Sequence, residues 1–90
     1  MKYAFEFRPS ARRSLRAIPQ ADAIGLLNAL AALGDDPYAS NHAVKPLTGQ
    51  AGLYRIRYGN FRAVYRIDDG RLVILVIHTG HRREIYRRLD

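Results

Sequence analysis

Across residues 2–7 the chain alternates, with Tyr3, Phe5 and Phe7 separated by Ala4 and Glu6. A period of two predicts a strand with one buried face. Pro9 then suits the first turn of a helix, and Ala11, Leu15 and Ile18 recur at i, i+4 and i+7 before Pro19 interrupts. The polar side of this short helix carries Arg12, Arg13 and Arg16, which read as a solvated face. Over residues 20–33, Ile24, Leu27 and Ala31 together with Leu26, Leu30 and Leu33 make a broad apolar stripe. That predicts the main core helix, ended by Gly34 in a C-cap position with Pro37 shortly after. Residues 35–52 mix Gly, Pro, Asn, Ser and Asp and read as a loop whose only base is Lys45.

The second half reads as β structure. Residues 53–58 and 61–68 flank Gly59-Asn60, and a two-residue connection with Gly first predicts a type II′ hairpin. That turn sets the register: Tyr58 faces Phe61, Arg57 faces Arg62, Ile56 faces Ala63, Arg55 faces Val64, Tyr54 faces Tyr65 and Leu53 faces Arg66. One face is then aromatic and aliphatic, while the other gathers Arg55, Arg57, Arg62 and Arg66. Asp68-Asp69-Gly70 makes the next turn, and the unbroken apolar run 72–77 predicts a central strand covered on both faces. Gly80 is expected to break it. In the tail, Ile85, Tyr86 and Leu89 predict a short terminal helix or turn folded back on the sheet. The fold class is α+β, one small domain over 1–90 in the order β-α-α-β-β-β, with a possible short C-terminal helix.

At 90 residues the chain has room for one modest core and no second domain. The absence of cysteine removes disulfides and thiolate metal sites and points to the cytoplasm as the default compartment. The six-residue apolar run is far short of the ~20 residues that span a bilayer. An N-terminus that alternates and contains Glu6 and Arg8 does not read as a secretory signal, so no membrane partner is expected. Charge changes the picture more. Thirteen Arg and two Lys against eight Asp+Glu give a net +7. Of this, +2 falls in residues 1–52 (six basic, four acidic) and +5 in residues 53–90 (nine basic, four acidic). The asymmetry predicts an anionic partner, either nucleic acid or an acidic protein.

Like charges on adjacent strands repel, so the arginine face requires a reason. Arg57 opposed to Arg62, with Arg55 on the diagonal, could fork guanidinium donors onto phosphate oxygens. The alternative is neutralisation by carboxylates carried on the helices. The tail adds Arg82, Arg83, Arg87 and Arg88, with His81 and Tyr86 among them. His42 and His78 read as structural, and no carboxylate or histidine cluster suggests a metal.

Four ordered stretches carry a family resemblance: Leu53-Tyr54-Arg55-Ile56-Arg57, then Phe61-Arg62-Ala63-Val64-Tyr65, Asp68-Asp69-Gly70 and Gly80-His81-Arg82-Arg83-Glu84-Ile85-Tyr86. With the Lys45-Pro46-Leu47-Thr48-Gly49 approach to the hairpin, the chain resembles the RelE branch of the RelE/ParE toxin superfamily along almost its whole length. The resemblance implies the fold order given above, with helices on one face of an antiparallel-rich sheet. It also implies a toxin of a type II toxin-antitoxin system that cleaves mRNA, typically in the ribosomal A site, without metal or other cofactor. The partners implied are a cognate antitoxin, expected to be acidic and to fold on binding, together with mRNA and the ribosome.

Residue by residue, the resemblance carries Arg55, Arg57 and Arg62 over as phosphate-binding positions, with Arg62 in the catalytic group. Arg82 becomes the stabiliser of transition-state charge and Tyr86 a catalytic or base-stacking residue, while Lys45 and Arg83 extend the RNA-binding set. Some family members have lysines where this chain has Arg55 and Arg57, and an arginine is a poor general base. Tyr86 and His81 are therefore the candidates for proton transfer. A ParE-like toxin that inhibits DNA gyrase without cleaving anything is the competing reading, and a non-catalytic RNA-binding module a third.

Overall fold

A computed structural model describes residues 2–85. Strand β1 (Ala4–Phe7) leads into helix α1 (Pro9–Ala17) and helix α2 (Gln20–Ala31), which tightens into a 3₁₀ turn at Ala32–Gly34. Four strands follow: β2 (Val44–Pro46), β3 (Leu53–Tyr58), β4 (Phe61–Asp68) and β5 (Val73–His81). They form one five-stranded sheet in the order β1-β5-β4-β3-β2, antiparallel except where β1 lies parallel to β5. The expected α+β class holds, as does the element order apart from one added strand, β2, and the apolar fifth strand has a neighbour on each side. The possible C-terminal helix, with Tyr86, lies outside the described residues.

The helices form where the local chemistry allows. Arg8 is extended (φ −64°, ψ 148°) and hands over to Pro9, whose fixed φ suits a first turn; Ile18 is extended again because Pro19 follows. Ala11 and Ile18 are buried, and the Thr79 hydroxyl, itself fully buried, donates to the Ala11 carbonyl at 2.8 Å, fastening α1 to β5. Leu26, Leu30 and Leu33 enter the core with Tyr3, Ile56, Ala63, Tyr65, Ile74 and Val76. The other half of the expected stripe does not: Ile24 is 50% exposed and Leu27 36%. At 3.6 residues per turn, Ile24, Leu27 and Ala31 lie roughly 130° round the helix from Leu26, Leu30 and Leu33, and the sheet covers only the latter.

Four further expectations are corrected. Gly34 is not a left-handed C-cap: it is buried in the 3₁₀ turn, and its carbonyl accepts the N–H groups of Lys2 (3.1 Å) and Tyr3 (2.8 Å). The segment 35–52 contains β2, an edge strand of three residues, too short to show a period and able to tolerate Pro46 because its outer edge needs no donor. Strand β5 begins at Val73, since Leu72 sits at φ +53° in the preceding turn. It also continues through Gly80 to His81, because β4 supplies partners for both: Arg62 pairs with Gly80 and Phe61 with His81. The β4–β5 register slips between Val64 and Tyr65, which pair with His78 and Val76, leaving Ile77 as the extra residue of a bulge.

A carboxylate closes the opposite end of the molecule. Asp69, in the β4–β5 turn, accepts the hydroxyls of Tyr3 and Tyr38, each at 2.5 Å, and so joins the segment just before β1, the loop after α2 and the turn. These two hydrogen bonds hold the Asp69 carboxyl below its usual value, and the same carboxylate pushes Tyr38 up to about 12. Among the described residues no helix is long and apolar enough to cross a membrane.

Candidate functional site

The β3–β4 hairpin has the register that the turn chemistry predicts at all six pairs, from Leu53 opposite Arg66 to Tyr58 opposite Phe61. Gly59 carries φ +58° and Asn60 has no positive φ, which is the type II′ pattern. Strand alternation therefore sets Tyr54, Ile56, Ala63 and Tyr65 toward the helices. Tyr54 and Tyr65 stack there with centroids 5.7 Å apart. The buried Tyr65 hydroxyl finds no partner among the described residues, and burial together with Tyr54 pushes that phenol up.

The other face is basic and is organised in rows across the sheet. Arg57, Arg62 and Gly80 form one row; Lys45, Arg55, Val64 and His78 form the next; Leu53, Arg66 and Leu75 form a third. The structure thus brings Lys45, Arg55, Arg57 and Arg62 together. The three guanidiniums among them are not equivalent. Arg57 is exposed and has no carboxylate partner among the described residues. Arg62 curls back so that Nη1 donates to the carbonyls of Gly59 and Phe61, both at 2.9 Å. Half-buried Arg55 donates from Nη1 to the Ala43 carbonyl at 2.8 Å, and the Arg57 N–H reaches the same oxygen at 3.0 Å. Among the described residues, no helix carboxylate pairs with Arg57 or Arg66 in the way the alternative expects. An ion pair joins Glu6, which extends the Arg66–Leu75 row onto β1, to Arg71 at 2.8 Å.

The turn after β5 folds onto the hairpin tip, where the Arg82 N–H donates to the Asn60 carbonyl at 2.8 Å and Arg82 and Arg83 are exposed. His81 does not share the arginine face. Its partner in the ladder is Phe61, its ring meets Phe61 edge-on at 5.6 Å, and with Ala17 and Ile18 it lines a small cleft of about 130 Å³ on the helix side. Its Nδ1 accepts the Arg83 N–H at 3.1 Å, which leaves the ring proton on Nε2. Two histidines read as structural prove to be site neighbours: His78 stands in the Arg55 row and His42 beside Arg57. The bulge at Ile77 sets the face of His78, and no residue pattern in the strand announces it. Among the described residues no group of three or more His, Asp or Glu side chains is placed to hold a metal ion.

The family described as the ParE toxin of type II toxin-antitoxin systems, parDE, matches residues 5–86. The chain belongs to the RelE/ParE toxin superfamily. Within it, this RelE/ParE toxin is 34% identical to the toxin RelG of Mycobacterium tuberculosis over 89 residues, covering 98% of this chain and 100% of that one. Its fold superposes on the RelBE2 toxin-antitoxin complex of Mycobacterium tuberculosis with a TM-score of 0.75 at 29% identity, over 90% of this chain and 99% of that one. The archaeal RelE-RelB complex of Pyrococcus horikoshii gives 0.76 at 25% identity, over 91% and 97%. These relatives place the toxin in the RelE branch, as the sequence resemblance implied.

Proposed function

We propose that this toxin is a metal-independent endoribonuclease that cleaves mRNA on the ribosome in the cytoplasm and is held inactive by an acidic cognate antitoxin. The observation that carries the reading is the row Arg57–Arg62–Gly80 with Arg82 hydrogen-bonded to the hairpin tip beside it. Arg62 and Arg82 suit the oxygens of a pentavalent phosphorane, whose charge grows in the transition state, and Arg57 stands beside them for an adjoining phosphate. In the reaction the 2′-oxygen attacks phosphorus, the bond to the 5′-oxygen breaks, and a cyclic phosphate and a free 5′-hydroxyl result. One proton leaves the 2′-hydroxyl and one reaches the 5′-oxygen.

Arg62 and Arg82 stabilise the phosphorane in this scheme, and Arg55, Arg57, Lys45 and Arg83 hold flanking phosphates. Tyr86 is the proton carrier. His81, on the helix side with Nδ1 engaged by the Arg83 N–H, is better suited to fixing the Arg82–Arg83 turn than to accepting a proton. Support for the antitoxin comes from solved relatives that are toxin-antitoxin complexes.

The test is single-turnover cleavage of ribosome-bound mRNA, with mapping of the new ends. Tyr86→Phe should lower the rate by about 10² to 10⁴ with an unchanged melting curve. A 2′-deoxy substitution at the scissile nucleotide should abolish cleavage. Cleavage of the deoxy substrate, or no cleavage by the parent protein, overturns the proposal. The match to the ParE family favours one competing reading, a non-cleaving gyrase inhibitor. Inhibition of gyrase supercoiling by a protein that leaves mRNA intact would establish it.

A further inference from the structure

A second feature lies beside the arginine face, on the far side of Arg57. Residues 40–43 and 57–59 line an open cleft of about 530 Å³. Its walls combine an aromatic ring (Tyr58), a guanidinium (Arg57), an imidazole (His42), an amide (Asn41) and a hydroxyl (Ser40), with no carboxylate among them.

Contacts within the fold position both walls. Tyr58 is 43% exposed, yet the phenolic end of its ring rests directly on α2 at Gly25, where a Cβ would come within 2.2 Å of Tyr58 Cζ. Only glycine at that position lets the ring lie down on the helix. A half-open aromatic ring held in one orientation is a stacking platform. The opposite wall is tied at Ala43, whose carbonyl accepts from Arg55 Nη1 and the Arg57 N–H and whose own N–H donates to Asn41 Oδ1 at 2.9 Å. With Oδ1 engaged, Asn41 presents its amide NH₂. His42 and Ser40, both exposed, add groups that can donate or accept.

We propose that this cleft is a nucleobase-binding subsite, which takes the base of a nucleotide whose phosphate Arg57 grips. Tyr58 stacks on the base, and the polar groups of residues 40–42 meet its edge. The proposal rests on the nucleic-acid reading above and extends it to selection: the toxin would prefer some nucleotides beside the cut because this cleft reads them. An anionic groove ligand without a flat ring would need only Arg57 and would leave the platform unused.

The experiment uses a short 2′-O-methyl oligoribonucleotide, which cannot be cut, and its abasic counterpart with the same sugars and phosphates. Binding is followed by fluorescence anisotropy and by amide chemical shifts in the full chain. The intact oligonucleotide should shift the amides of residues 40–43 and 57–59, and the abasic one should not. The parent should bind the intact probe about 5- to 150-fold more tightly than the abasic one, and Tyr58→Leu should remove that difference while Tyr58→Phe keeps it. Gly25→Ala is the second variant: it changes no lining residue but lifts the Tyr58 ring off α2, and it too should erase the preference.

Equal affinity for intact and abasic probes, or a Tyr58→Leu protein that still tells them apart, overturns the subsite and leaves the nucleic-acid reading standing. Shifts at the cleft caused by poly-glutamate and not by the oligonucleotide would make it a protein-docking site and overturn the assignment equally. No binding of either oligonucleotide at low salt overturns the nucleic-acid reading and the subsite with it.

Discussion

Arg57 and Arg62 face each other across one ladder, yet their side chains are held differently, Arg62 by the Gly59 and Phe61 carbonyls and Arg57 in the open, and a pair of alanine substitutions should separate their contributions. Each guanidinium that neutralises one phosphate contributes about −0.7 to the log–log salt slope for single-stranded nucleic acid. Arg57→Ala should therefore flatten the slope by about 0.7, and over a fourfold rise in salt its disadvantage against the parent should shrink about 2.6-fold. Folding should be untouched or slightly improved, within about 0.5 kcal/mol, because Arg57 is exposed and opposes a like charge. Arg62→Ala removes the same electrostatic increment, but it also removes the Nη1 bonds to the Gly59 and Phe61 carbonyls that brace the turn. Those bonds are near solvent, so their net worth is about 1 kcal/mol, or about 4–8 °C in Tm for a domain of this size. The assay pairs anisotropy titrations across a salt series with thermal melts. An unchanged slope in Arg57→Ala would show that Arg57 faces something other than a nucleic-acid backbone. Equal stability losses in the two variants would refute the division of labour.

Two further outcomes follow from the tyrosines. The Asp69 clamp should give stability a pH signature at both ends. A carboxyl held below its usual value adds stability that is present above about pH 4 and lost as pH falls through the folded value. Tyr38, raised from 10.0 to about 12, adds stability that is present below pH 10 and lost as pH rises through about 12. Urea unfolding of Tyr38→Phe should thus decline less than the parent between those two alkaline values; an identical decline would mean that the hydroxyl and Asp69 are not coupled. Tyr65→Phe should be neutral or stabilising by about 1 kcal/mol, because it deletes a buried hydroxyl with no partner among the described residues. A loss of more than about 1 kcal/mol in its unfolding free energy would show that the hydroxyl has a partner after all.

The sequence made the hairpin fully legible because two independent local signals agree there. The glycine-first turn fixes which residues oppose, and strict alternation fixes which face each takes. The arginine face followed from both. What stayed hidden depends on contacts between distant segments. Strand β2 is three residues long and exists because β3 offers it a partner. Gly80 continues β5 because β4 supplies a ladder that its own weak propensity does not. The outward half of the α2 stripe shows the same limit: apolar residues on two sides of a helix cannot reveal which side the sheet will cover. For the site, the face that His78 takes depends on an unmarked bulge, and the cleft at Tyr58 was invisible because Gly25 and Tyr58 are far apart in the chain. His81 illustrates the converse: it falls among arginines in sequence, yet alternation past Gly80 turns it to the helix side.

The hairpin register also explains how a small domain can hold mutually repelling cations in fixed positions. The same six pairs that bury Ile56, Ala63 and Tyr65 against the helices present Arg55, Arg57 and Arg62 on the reverse. A slip of one residue would exchange the faces, moving guanidiniums into the core and the aromatic residues to the surface. Arginine stays charged at any pH the protein meets, so a buried guanidinium could not escape its desolvation cost by losing a proton, as a lysine could. The penalty against slippage is therefore greater with arginine on this face than it would be with lysine. Repulsion within the cluster opposes folding only weakly, since it acts in water, whereas the burial on the other side acts at full strength. The arrangement of the arginine face is thus set by the core behind it, and the anionic ligand proposed for it would meet guanidiniums whose backbones need no rearrangement.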